Sequence, residues 1–123
     1  MNVNFTVFID KILSGEKRQT IRKAGGKWEN VKAGDKLTLY TGLRTKECRK
    51  LGEAEVESIE DITITKNDSV IINDCYWSYE LIDELAKKDG FEHVENFLKF
   101  FHDHYGEKFT GKIIKWKNFR KAE

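Results

Sequence analysis

The segment Gly15–Lys23, GEKRQTIRK, gathers the side chains best suited to chemistry. Lys17, Arg18, Arg22 and Lys23 place four cations around the single hydroxyl of Thr20. A threonine hydroxyl attacks a carbonyl when a neighbouring base takes its proton. A lysine is such a base only when burial or nearby positive charge lowers its pKa, and Arg18, Arg22 and Lys23 supply that charge. The same residues suit a second role: on a regular strand Arg18, Thr20 and Arg22 share one face and form an anion-binding ladder. Lys17 and Thr20, three apart, point to opposite faces of a regular strand. They reach one pocket only if Lys17 still belongs to a turn at Gly15, or if a bulge intervenes.

Charge is strongly segregated along the chain. Residues 1–50 hold 12 Lys+Arg and 5 Asp+Glu (net +7), residues 51–107 hold 4 and 15 (net −11), and residues 108–123 hold 6 and 1 (net +5). If the two basic ends meet in space they form one positive face that attracts phosphates. Arg44, Lys46, Arg49 and Lys50 make a second basic cluster, and Lys112, Lys115, Lys117, Arg120 and Lys121 extend it as a phosphate-tracking surface. Tyr40, Trp28 and Trp77 are candidates for stacking on a base, as single-stranded RNA readers use aromatic platforms. Trp116 and the helix phenylalanines read as core.

Metal and redox chemistry find little support. Cys48 and Cys75 lack a CxxC partner, and no common zinc spacing includes His93, His102 or His104. No metal and no cofactor are expected. The opening MNVNFTVFIDKILSG has no basic leader followed by an apolar run, and no stretch is long enough to span a bilayer. The expectation is a soluble, cytoplasmic chain without a membrane partner, monomeric, with reduced thiols.

The 123 residues suggest one domain covering 1–123, and 39% hydrophobic residues suffice for a core. Phe5, Phe8, Ile12 and their neighbours predict a helix over 6–14, stopped by Gly15. KRQTIR reads as a short strand, KAGGKWENVKAGD as a loop and KLTLYTG as an alternating strand with Leu37, Leu39 and Thr41 on one face. LRTKECRKLG reads as a basic connection. EAEVESIEDITIT and SVIIND read as strands, with a bulge or bend at Glu60-Asp61. Two helices follow, 79–88 with Ser78 as N-cap and Gly90 as stop, and 92–104 ending at Gly106. Leu81, Ile82 and Leu85 stripe the first helix; Val94, Phe97, Leu98, Phe101 and Tyr105 stripe the second. KIIKWKNF closes the chain as a strand. The order is α+β rather than alternating βα units.

Gly15, Lys17, Thr20 and Arg22 also stand as G-x-K-x-x-T-x-R after an apolar helix, followed by VKAGDKLTLY and later by LAKKDGF before an aromatic-rich helix. This pattern resembles the ASCH domain family, over roughly residues 5–119. The resemblance implies a PUA-like fold: a five- to six-stranded, partly closed β-barrel with flanking helices. It implies RNA or a modified nucleoside as partner. Some small bacterial members hydrolyse the acetyl amide of N4-acetylcytidine, and ribonuclease activity has been attributed to others. The amidohydrolase members use a lysine, a threonine and an acid, which fall here on Lys17, Thr20 and Asp89. Those members carry glutamate at the acid position, one methylene longer than Asp89. Three readings therefore stand together: a nucleobase- or RNA-binding domain using Arg18, Arg22, Lys23, Tyr40, Arg44, Lys46 and Arg49; an N4-acylcytidine amidohydrolase; and a ribonuclease or protein adaptor.

Overall fold

A computed structural model describes residues 1–123. Its strands are β1 (Asn2–Phe5), β2 (Gln19–Lys23), β3 (Lys36–Thr41), β4 (Arg49–Ile64), β5 (Val70–Ile72), β6 (Cys75–Tyr76) and β7 (Phe109–Lys121). Its helices are α1 (Ile9–Ser14), α2 (Tyr79–Asp89) and α3 (Val94–Tyr105), and a single 3-10 turn spans Gly26–Asn30. The architecture is α+β: three helices and one mixed seven-stranded sheet.

The long strand β4 is the spine. It carries antiparallel β7 along one edge and β3, then β5, along the other. β1 joins β3 in parallel, β2 joins β7 antiparallel and β6 extends β5. The path β1-β3-β4-β7-β2 therefore has two free ends, β1 and β2. No ladder joins them, so the expected barrel is not closed. A side chain crosses the gap instead: Arg22 Nη2 on β2 donates to the Asn4 carbonyl on β1 at 2.7 Å.

Period-two patterning explains why the sheet is buried on both faces. Ile113 packs with Ile62, Ile82 and Phe97 under the helices. Its neighbour Ile114 points the other way, into a second core with Leu37, Leu39, Val56 and Trp116. α2 and α3 cover the first core with Ile82, Leu85, Ala86, Val94, Phe97 and Phe101. Ser78 caps α2, its hydroxyl accepting from the Leu81 amide at 3.4 Å.

Several expectations need correction. The predicted helix over 6–14 shortens to α1 at Ile9–Ser14, and the preceding residues Asn2–Phe5 form the unpredicted strand β1. Phe5 is a strand residue, and Phe8 takes a left-handed turn (φ 60) before the helix starts. Val3 and Phe5 alternate inward, but a four-residue strand running into a helix has too little pattern to separate. Glu60-Asp61 is no bulge: the register of β4 shifts at Glu53/Glu55 and Val56/Ser58. Leu81 is 43% exposed, and Ala86 takes its place in the stripe. The basic connection 43–52 ends early, because β4 begins at Arg49.

The two basic ends do meet, through the β2–β7 ladder. They do not form a bare positive face, because acidic β4 lies on the other side of β7. Glu60 Oε1 is 2.9 Å from Lys115 Nζ, and Asp61 Oδ1 is 3.7 Å from Lys112 Nζ. Lys117 and Arg120 stand opposite Glu55 and Glu53 in register. Lys112 and Lys115 are thus paired across the strands with acidic β4. No helix is long and apolar enough to cross a membrane.

Candidate functional site

The seam between β1 and β2 opens into a cleft of about 460 Å3. Its lining includes the polar residues Asn4, Thr6, Lys17, Thr20, Arg22 and Asp89. It also includes the aromatic side chains of Phe8, Phe91, Phe100, Phe101, His104 and Tyr105, with Lys17 Nζ 5.5 Å from the Phe8 ring centroid. The structure brings Lys17, Thr20, Arg22 and Asp89 together here, although they come from a turn, a strand and a helix end.

Lys17 reaches the cleft because β2 starts only at Gln19. Gly15 adopts φ 85 and caps α1. The Lys17 amide then bonds back to the Lys11 carbonyl at 3.0 Å, which turns the lysine inward. Its side chain is buried, donates to the Asp89 carbonyl and lies 3.3 Å from Asp89 Oδ1. Burial pushes the Lys17 pKa down; attraction and hydrogen bonding to Asp89 push it up; Arg22 and Lys11 add to the downward pull. The net direction is below the ordinary lysine value, because burial is the larger effect.

Asp89 is the last residue of α2, where a carboxylate opposes the helix dipole. Two ammonium groups resolve the conflict. Lys17 binds the Asp89 carbonyl and carboxylate, and Lys11 Nζ donates to the Gly90 carbonyl at 2.7 Å. Gln19 Nε2 adds a bond to Asp89 Oδ1 at 3.3 Å. Gly90 ends the helix at φ 111, and a Cβ there would come 2.7 Å from the Phe8 ring. Glycine thus lets the helix end press onto the Phe8 ring. Phe8 in turn meets Phe91 edge-on, with centroids 5.0 Å apart.

Thr20 Oγ1 accepts from Arg22 Nε at 2.9 Å. An arginine can donate but not accept, so it polarises this oxygen without taking its proton. The Arg22 guanidinium also lies 5.0 Å from the Phe5 ring centroid. Burial pushes the Arg22 pKa down, with Tyr105 and then Asp89 opposing; it stays cationic at any ordinary pH. His104 stacks on Phe100 at 4.1 Å and 28°, and its Nδ1 lies 2.8 Å from the Phe100 carbonyl. A carbonyl partner requires the proton on Nδ1, which leaves Nε2 of a neutral imidazole as an acceptor.

The remaining sequence candidates lie outside the cleft lining. Arg18 is the main departure: it precedes β2, so it does not share the face of Thr20 and Arg22. Its Nε bonds Gly15 O at 3.0 Å, and it lines a separate hollow with Glu57, Lys88 and Lys115. That hollow has one hydrophobic lining residue, so it offers little apolar body to a base. Lys23, Lys46 and Arg49 are exposed, and Tyr40 is half-buried on β3. Trp28 is 7% exposed and packs in the second core, out of reach of a stacking base. Trp77 packs partly buried against the first core.

Sequence reasoning missed Asn4, Gln19, Lys11 and His104. His104 had a usable signal, its i, i+4 spacing from Phe100 on a helix whose Phe97 and Phe101 face inward. Asn4 and Gln19 had none, because their role depends on strands meeting across the seam. No known family model matches the chain, and no curated protein matches it.

Proposed function

We propose that the protein is a nucleobase-binding domain of ASCH type, with its curled sheet in a PUA-like arrangement, and that the seam cleft takes a cytidine-like base. The observation that carries this reading is the mixture of polar side chains (Asn4, Lys17, Thr20, Arg22, Asp89) and aromatic ones in a single cleft of about 460 Å3. A nucleobase has two apolar faces and a polar edge, and a cleft of this size and composition suits it. The rings of Phe8, Phe91 and Phe100 offer stacking surface. Thr20, Arg22 and His104 Nε2 offer donors and an acceptor to the edge. Calorimetric titration with cytidine tests this: saturable binding that Arg22→Ala and Phe91→Ala each weaken at least about tenfold is expected, since stacking on one aromatic accounts for roughly 1–3 kcal/mol. Absence of saturable binding, or binding indifferent to both substitutions, would remove the assignment.

A second reading is favoured by a specific observation: Lys17, with its pKa lowered, and Thr20, polarised by Arg22, share the cleft. In this reading the cleft hydrolyses the N4-acyl amide of a modified cytidine. The deprotonated fraction of Lys17, increased by its lowered pKa, takes the Thr20 proton as Oγ bonds to the acyl carbon. The C–N bond then breaks, N4 takes that proton from Lys17, and water hydrolyses the acyl-threonine ester to a carboxylic acid and free threonine. Arg22, donating to Oγ, eases the loss of its proton, and Asp89 holds the Lys17 amine. Incubation with N4-acetylcytidine should release cytidine and acetate, and Thr20→Ala should abolish release without abolishing cytidine binding. No product from wild-type protein at high enzyme concentration rejects this substrate and leaves the binding reading standing.

A further inference from the structure

Three cations without carboxylate partners, Arg22, Lys27 and Arg44, are tied to β1 or to the loop that β1 anchors. Arg22 bridges β2 to β1 through the Asn4 carbonyl at 2.7 Å. The side chain of the same Asn4 anchors a loop: its Oδ1 accepts from the Leu43 amide at 2.9 Å. That bond fixes the turn at Gly42–Thr45, closed by Thr45 N–Gly42 O at 3.0 Å, and the turn carries Arg44. Arg44 sits in the left-handed region at φ 68, a conformation uncommon for an arginine. Lys27, on the 3-10 turn, donates to the Asn2 carbonyl, also on β1. Burial, then the charges of Arg22 and Arg44, push the Lys27 pKa down.

Seven of the 22 lysines and arginines, Lys17, Lys36, Lys50, Lys87, Lys99, Lys112 and Lys115, have a carboxylate within ion-pair distance and the rest do not. Arg22, Lys27 and Arg44 have none, and Asp89, the acid of the cleft, is already engaged by Lys17. Gathering three like charges on one strand edge costs free energy unless an anion completes the arrangement.

We propose that Arg22, Lys27 and Arg44 form a phosphate subsite beside β1, so that the cleft's ligand is phosphorylated. The base lies against the aromatic side chains, and its phosphate is held where β1, the Lys27 turn and the Arg44 loop converge. The placement of the base rests on the base-binding reading above; the phosphate subsite itself does not. Guanidinium groups match phosphate oxygens with two parallel donors, which a lysine then supplements as a point charge.

Calorimetry separates the two claims. Wild-type protein should bind cytidine 5′-monophosphate about tenfold more tightly than cytidine, the gain of one charge-assisted contact set. In the Lys27→Gln, Arg44→Gln double variant, whose substituted side chains are exposed, the ratio of the two affinities should fall close to one. Equal affinities in the wild type, or a ratio that survives in the double variant, overturn the subsite. Inorganic phosphate tests it without any base: it should raise the melting temperature of the wild type and not of the double variant. If phosphate stabilises the wild type while cytidine does not bind, the base placement fails and the subsite stands. If cytidine binds and phosphate has no effect, the reverse holds. The trinucleotide UpCpU decides the source: affinity matching the monophosphate assigns the subsite to an RNA backbone, and affinity matching cytidine assigns it to a free nucleotide.

Discussion

Lys17→Met removes the ammonium that joins the Gly15 turn to the end of α2. At 3.3 Å the attraction between Lys17 and Asp89 amounts to about 5 kcal/mol at an effective dielectric of 20. Desolvation of both groups offsets much of that in forming the pair. Removing one partner alone is different, because Asp89 keeps its buried charge with only Gln19 Nε2 as side-chain donor. Loss of one member of a buried pair costs roughly 3–5 kcal/mol, a large share of the roughly 5–15 kcal/mol that holds a domain of this size. Asp89→Asn strands Lys17 instead and has a distinctive pH signature. The folded-state pKa of Lys17 is already below 10.5, and losing Asp89 removes the main influence that raises it. Between that lowered value and 10.5 the unfolded chain binds more protons than the folded one, so stability rises with pH. Urea unfolding of the wild type, both single variants and Lys17→Met/Asp89→Asn measures the coupling directly. The double variant should be more stable than the sum of the two losses implies, by at least about 2 kcal/mol, and Asp89→Asn should regain stability as pH rises from the lowered Lys17 value towards 10.5. Additive losses, each under about 1 kcal/mol, would show that the pair behaves as a solvated surface contact and would refute the buried geometry.

Other substitutions probe neighbouring parts of the same region. Gly90→Ala should cost roughly 1–3 kcal/mol by thermal or urea unfolding, since φ 111 and the 2.7 Å approach to Phe8 both resist a Cβ; a neutral result would mean that the helix end is free to move away from Phe8. Arg22→Lys keeps the charge but cannot bond Thr20 and the Asn4 carbonyl together. Faster hydrogen exchange in β1, with a loss of roughly 1–3 kcal/mol, is expected, and unchanged exchange there would deny Arg22 its role in holding the seam. His102 faces two acceptors, Asp68 Oδ1 at 2.7 Å and the Gly106 carbonyl at 3.3 Å, so the imidazolium matches both. The Asp68 bond, then the Gly106 carbonyl, raise its pKa above 6.5. Its contribution is therefore complete below pH 6.5 and lost as pH rises through the raised value. His102→Gln should flatten that part of the stability–pH curve; a curve identical to wild type would discount the contact.

The sequence carried the long and strongly patterned parts of this fold. β3, α2 and α3 follow from alternation, the Ser78 cap, and the stops at Gly90 and Gly106. β1 did not, because Phe5 stands at helical spacing from Phe8 and Ile12 and so reads as part of the helix that follows. The turn at Gly15 was the condition for Lys17 and Thr20 to meet, and the late start of β2 supplies it. The same late start removes Arg18 from the ladder. Strand order also decides which charges meet: acidic β4 lies beside basic β7, so Lys112 and Lys115 face Asp61 and Glu60. Sequence spacing has no access to that pairing. Lys27 went unnoticed because it reads as a loop lysine until β1 and the Arg44 loop are brought beside it.

The base-binding seam is tested most directly by mapping cytidine 5′-monophosphate onto the 15N-labelled wild-type chain by chemical shift. Saturable shifts should concentrate at Thr20, Arg22, Phe91 and His104, with Lys27 and Arg44 beside them and β6 silent. Shifts that do not saturate, or that gather instead around Arg18, Glu57 and Lys115 on the far side of the Gly15 turn, would contradict it.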